Sequence, residues 1–120
     1  MTGPHLPKLL LITDWSLGYA VLLSRLESAL TAVTAPDEIA IQHRHPDATG
    51  RVFYEEAVAL NELCTRFNVP LFINGRLDIA LALKCHLHLP SASAPAIDYR
   101  AQLPQPYCIS TSVHNADELP

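Results

Sequence analysis

At 120 residues, 49% of them hydrophobic and 17% charged, the chain has enough for one domain with a modest core and too little charge for a disordered segment. A net charge of −4 with no Lys/Arg cluster excludes a nucleic-acid footprint, and no apolar stretch approaches the ~18 residues of a membrane span. Cys64, Cys85 and Cys108 lack CxxC spacing and read as reduced, mostly buried thiols of a cytoplasmic protein.

The first apolar run, 9–13 (LLLIT), follows a start without signal-peptide character. It does not alternate, which predicts a strand covered on both faces. Tyr19, Leu22, Leu23, Leu26 and Leu30 then fall on one face of a helix. A second strand is predicted over 38–42 (EIAIQ). The helix after it has Glu55 and Glu56 in its opening turn and Ala57, Leu60, Leu63, Cys64 and Phe67 on its apolar face. The run 70–73 (PLFI) reads as a third strand, again covered on both faces, and Ile79, Leu81, Ala82 and Leu83 mark a shorter third helix. Strands over 86–89 (HLHL) and 107–111 (YCIST) complete the set. Between these two, Pro90, Pro95, Pro104 and Pro106 disfavour a long helix, although a short one over 95–101 with proline in its first turn fits.

Strand–helix alternation predicts repeated βα units with right-handed crossovers, in either a doubly wound open sheet or a (β/α)8 barrel. Both architectures place ligands at the carboxyl ends of the strands. Those ends carry Asp14, Gln42-His43-Arg44, Asn74-Gly75-Arg76, Leu89-Pro90-Ser91 and Ser112-Val113-His114. Each has a purely structural alternative. Asp14 suits a helix cap, Arg44 an ion pair, Asn74-Gly75 a turn, and His114 a solvated site before a helix capped by Asn115. His43-x-His45 and His86-x-His88 each put two imidazoles on one strand face. No carboxylate sits at ligand spacing from either pair, so no metal is expected. Inward-facing Gln42 and Arg44 would turn His43 and His45 towards the covering helices.

Taken together, LLLITD (9–14), IQHR (41–44), VPLFINGRLDIALAL (69–83), LHLPSAS (87–93) and STSVHNADEL (110–119) resemble the thiamine-phosphate synthase/TenI superfamily over nearly the whole chain. The resemblance implies an α/β fold of parallel βα repeats, a TIM (β/α)8-barrel type of which about five strands are present here. The family's later strands would carry its phosphate-binding glycines, so the sequence reads as a fragment or a reduced form of the barrel. Open sheet edges make a homo-oligomer the expectation.

Two branches of the family differ at particular positions. Synthases join a pyrimidine diphosphate to a thiazole phosphate, and their pattern is Gln-x-Arg-x-Lys after strand two and Asn-Asp after strand three. Gln42, Arg44 and Asn74 match, whereas Pro46 stands at the lysine position. Gly75 and Ser93 stand where synthases carry magnesium-binding aspartates. The TenI branch has Asn-Gly-Arg, Leu-Pro-Ser-x-Ser and Ser-Val-His, as in 74–76, 89–93 and 112–114.

The resemblance therefore implies a metal-free thiazole tautomerase with no cofactor, acting on a small-molecule thiazole phosphate. His114 would be its acid/base, Arg44, Asn74 and Gln42 would bind substrate, and Ser112 would orient it. A synthase-type transferase and a non-catalytic ligand-binding or regulatory member of the family remain as alternatives.

Overall fold

A computed structural model of the chain describes residues 9–35, 38–90, 97–103 and 106–111. His114, Ser112 and Ser93 lie outside the described residues. The architecture is a single parallel sheet in the order β1-β2-β3-β4-β5, curled into a half-barrel with helices packed on one side. The strands are β1 (Leu9–Ile12), β2 (Ile39–His43), β3 (Leu71–Asn74), β4 (His86–Leu89) and β5 (Ile109–Thr111). The helices are α1 (Tyr19–Thr31), α2 (Gly50–Phe67), α3 (Leu77–Leu83) and the single turn α4 (Ile97–Arg100). All five predicted strands form, each within two residues of its expected start.

The core lies between the sheet and α1–α3. Ile41, Ile73, Leu87 and Leu89 point from the central strands into a cluster with Leu60, Ala57 and Phe53 of α2 and Ile79 of α3. Spacing along α2 explains the packing, because Phe53, Ala57, Leu60 and Cys64 recur every three or four residues on one face. That helix begins earlier than expected, since the Thr49 hydroxyl accepts from the Val52 N–H and caps it. Glu55 and Glu56 consequently sit in its second turn rather than its first. At its far end Asn68 adopts φ 57°, a left-handed conformation that asparagine tolerates better than most residues.

The expectation that 9–13 is covered on both faces does not hold. Leu9, Leu10 and Ile12 are 52%, 40% and 55% exposed, whereas β3 is buried over Leu71, Phe72 and Ile73. β1 pairs only with β2 among the described residues, so its unpaired side and much of its side-chain surface face outward.

The cysteines are free, with Cys64 and Cys85 buried. Burial pushes their thiols up to about 12 and about 11 respectively, so neither is a ready nucleophile. No helix among the described residues is long and apolar enough to cross a membrane.

Candidate active-site rim

Parallel strands of matched register bring their carboxyl ends to one rim. Side chains alternate along each strand, so the two faces of the sheet there have different chemistry.

Gln42, Phe72, Asn74, His86, His88 and Ser110 lie on the face opposite the helices, linked by register across β2 to β5. The Asn74 side-chain amide donates to Gln42 Oε1 at 2.9 Å. Gln42 is 2% exposed, so this bond also satisfies a buried amide. Beside Asn74 in register, His88 lies 2.7 Å through Nδ1 from the Ser110 hydroxyl. The His86 Nδ1 accepts from the Cys108 backbone N–H at 2.8 Å, and its ring stacks on Phe72. Burial lowers the pKa of both His86 and His88, favouring neutral rings.

On the helix side, His43 has no measurable exposure. The Trp15 indole N–H donates to its Nδ1 at 3.2 Å, and its Nε2 lies 3.1 Å from the Phe53 carbonyl. An indole N–H can only donate and a carbonyl can only accept, so His43 is the neutral Nε2–H tautomer. Burial pushes its pKa down to about 4, partly offset by the Phe53 bond. Phe53 stacks on the ring with centroids 3.9 Å apart. His43 is therefore a structural residue held between strand and helix.

His45 differs. Its Nδ1 lies 2.9 and 3.0 Å from the two carboxylate oxygens of Glu56, a residue that is 5% exposed. Trp15 stacks on the imidazole at 5.9 Å with an interplanar angle of 10°. The ring lines a cavity of about 210 Å³ together with Pro46, Ala48, Phe53, Asn74, Gly75 and Arg76. A larger groove of about 390 Å³ lies between α1 and α2, lined by Leu23, Glu27 and Arg66 among others. It belongs to the helix layer rather than to the strand ends.

Of the residues expected at the site, Gln42 and Asn74 are in direct contact. Arg44 is exposed at the same rim, and its backbone N–H is held by the Thr13 hydroxyl at 3.0 Å. Asp14 caps the 3-10 turn Trp15–Leu17, accepting from the Ser16 N–H and hydroxyl, and these bonds lower its pKa. His114 and Ser112 are not described.

The residues at the rim to which sequence reasoning gave no site role are His45, Glu56, Arg76, His88 and Ser110. Glu56 had a legible signal, since it follows Phe53 by three and precedes Leu60 by four on the buried face. His88 could have been placed inward from the parity it shares with Asn74 in a parallel register, but the register itself was not legible.

Gly75 takes φ +71°, and a Cβ added there would meet only Pro90 Cδ at 3.9 Å. The position thus requires a left-handed backbone rather than space. Asparagine and aspartate also visit that region, so the backbone is compatible with the aspartate of a synthase. Magnesium would need oxygen ligands from the side chains present at this rim. Gly75 offers no ligand, and no group of three or more His, Cys, Asp or Glu among the described residues is placed to hold a metal ion. The described rim does not fit that ion.

Residues 9–120 match the family described as thiamine monophosphate synthase, TMP-TENI. The chain belongs to this family. It is similar to a thiamine-phosphate synthase of Clostridium perfringens, at 29% identity over 98% of this chain and 56% of that protein. A shorter match, at 37% identity over 66% of this chain and 11% of the other, is to the thiamine biosynthesis multifunctional protein ThiED of Corynebacterium efficiens. Among solved structures, a thiamine phosphate pyrophosphorylase from Pyrococcus furiosus superposes with a TM-score of 0.74 at 28% identity, over 92% of this chain and 52% of that one. The chain thus spans about half the length of the relatives that match nearly all of it.

These relatives correct the functional expectation. The tautomerase reading rested on Gly75, Ser93 and His114, but the similar proteins are named synthases or a pyrophosphorylase. The physical reason is visible at Gly75, where a glycine meets a backbone requirement that an aspartate could also meet. Its presence therefore does not mark a branch.

Proposed function

We propose that the chain is a thiamine-phosphate synthase-type protein of the cytoplasm, working on the pyrimidine diphosphate and thiazole phosphate that such enzymes join. The observation that carries this reading is the Gln42–Asn74 amide pair, at the two rim positions where the chain matches the synthase pattern. With Gln42 Oε1 occupied by Asn74, the pair still has an N–H donor on Gln42 and a carbonyl acceptor on Asn74. A donor beside an acceptor is the complement a substituted pyrimidine edge requires. In this reading Gln42 and Asn74 orient the ring, and exposed Arg44 meets the charged end of the substrate. Orientation of two bound reactants is the contribution these side chains would make.

A second reading, a ligand-binding member that does not turn over, is favoured by Pro46 and Gly75, which remove a cation and a carboxylate from the rim.

The test incubates the chain with both precursors and follows diphosphate release, while calorimetry measures binding of each precursor. The synthase reading expects product, with a loss of at least about tenfold in Asn74→Ala. Binding without product supports the second reading, and failure of both precursors to bind overturns the two together.

A further inference from the structure

The cavity between the ends of β2 and β3 contains side chains that neither the family match nor the amide pair accounts for. We propose that it binds the phosphate groups of a phosphorylated precursor directly, through Arg76 and His45, without a divalent cation. The reading above supplies only the ligand's chemical class; the site itself rests on geometry.

The cavity of about 210 Å³ is lined by an arginine, a histidine and an amide, and no carboxylate is among its lining residues. At roughly 30 Å³ per water in the liquid, that volume accommodates a group of several heavy atoms. Arg76 donates from Nε and Nη2 to Asp78 at 3.2 and 2.9 Å. A guanidinium has five N–H donors, so three are left over. The pair is exposed, with side chains 40% and 66% accessible, and exposed pairs of this kind hold weakly against a competing anion. Position reinforces the point. The guanidinium lies over the Phe53 ring at 5.8 Å. Its nitrogens come within 3.6 Å of where a Gly50 Cβ would be, an ordinary contact that sets the guanidinium against the first turn of α2.

His45 is held from two sides. Glu56 receives the Nδ1 proton, and the Trp15 indole stacks on the ring. Nε2 is then the ring's remaining polar atom, and in the imidazolium form it is a donor. The Glu56 carboxylate is not among the lining residues and holds the imidazole through Nδ1. The Arg76 guanidinium, with the Asn74 amide and the His45 ring edge beside it in the lining, supplies charge-assisted donors of the kind phosphate takes readily. This resolves the misfit with magnesium: where Gly75 offers no ligand, the Arg76 guanidinium provides compensating charge.

Trp15 is the chain's single tryptophan and stacks on His45, so its emission reports on the site. Inorganic pyrophosphate is titrated into the full chain in EDTA, then with magnesium, and calorimetry repeats the titration for the variants. The expected result is a saturable change in Trp15 emission with an affinity that magnesium alters by less than about twofold. Arg76→Ala and His45→Gln each weaken binding by at least about tenfold. Glu56→Gln weakens it less and shifts the His45 ring resonances, as expected of a positioning residue. Circular dichroism confirms that each variant is folded. Binding that requires magnesium, or that survives Arg76→Ala unchanged, overturns the proposal.

The phosphate-free pyrimidine alcohol is titrated in parallel. If it binds through Asn74 while pyrophosphate does not bind, only the cavity proposal fails. If pyrophosphate binds and the alcohol does not, the synthase reading fails and the anion site stands.

Discussion

The centre and the edge of the sheet are built from nearly the same kind of sequence and have different fates. LLLI in β1 and LFIN in β3 are both short apolar runs without alternation. Yet Leu9 and Ile12 are half exposed while Ile73 is fully enclosed. What separates them is neighbours. β3 is paired on both sides and covered by α2 and α3, whereas β1 has one strand partner among the described residues. A residue's hydrophobicity states what burial would contribute; the topology decides whether the burial happens.

This comparison can be broken most directly at the centre. Ile73→Ala removes buried methylenes from a site with no exposure and should cost about 2–5 kcal/mol in urea unfolding. A cost below about 1 kcal/mol would mean the central strands are packed no better than the edge.

The next effect sharpens the comparison through pH. His43 sits at the centre as a neutral ring with its pKa pushed down to about 4 from an ordinary 6.5. Between those values the unfolded chain binds the proton and the folded chain does not, so stability rises with pH there. The contribution is complete above about 6.5, is lost as pH falls towards 4, and amounts to about 3 kcal/mol. His86 and His88 act in the same sense, because burial also lowers their pKa. Urea midpoints measured from pH 7 to pH 4 should show this slope, and His43→Phe should reduce it, leaving the part due to His86 and His88. A wild-type profile without slope would show that His43 is not enclosed as described.

The smallest effect belongs to the edge. Ile12→Thr replaces a side chain that is 55% exposed with another β-branched one and should change stability by less than about 0.5 kcal/mol. A loss of 2 kcal/mol or more would mean that β1 is covered in solution by surface that the described residues do not provide.

Much of the fold was legible. Periodicity located five strands and the three main helices, because period-3.6 apolar faces and short apolar runs are local signals. The site was legible only in part. Gln42 and Asn74 were found from their places at strand ends, and the structure joins them with a hydrogen bond. Glu56 is expected in the opening turn of α2 but lies one turn further in, because the helix starts at the Thr49 cap. His45 was grouped with His43 as one pair, although one ring is locked in the core and the other lines a cavity. Gly75 does lack a carboxylate, and its φ of +71° adds a backbone reason for glycine that the sequence does not display.

The sequence alone determined the element types, their order and the apolar face of each helix, because these follow from side-chain spacing along a single segment. Only the tertiary structure decided which of the equally apolar strands is enclosed, which histidine is neutral, and which polar groups meet at the rim. Those outcomes depend on register between strands and on atoms from segments far apart in the chain, such as Glu56 meeting His45 and Arg76 lying over Phe53. Partners of that kind set the desolvation and hydrogen bonding that govern charge, and no local pattern encodes them.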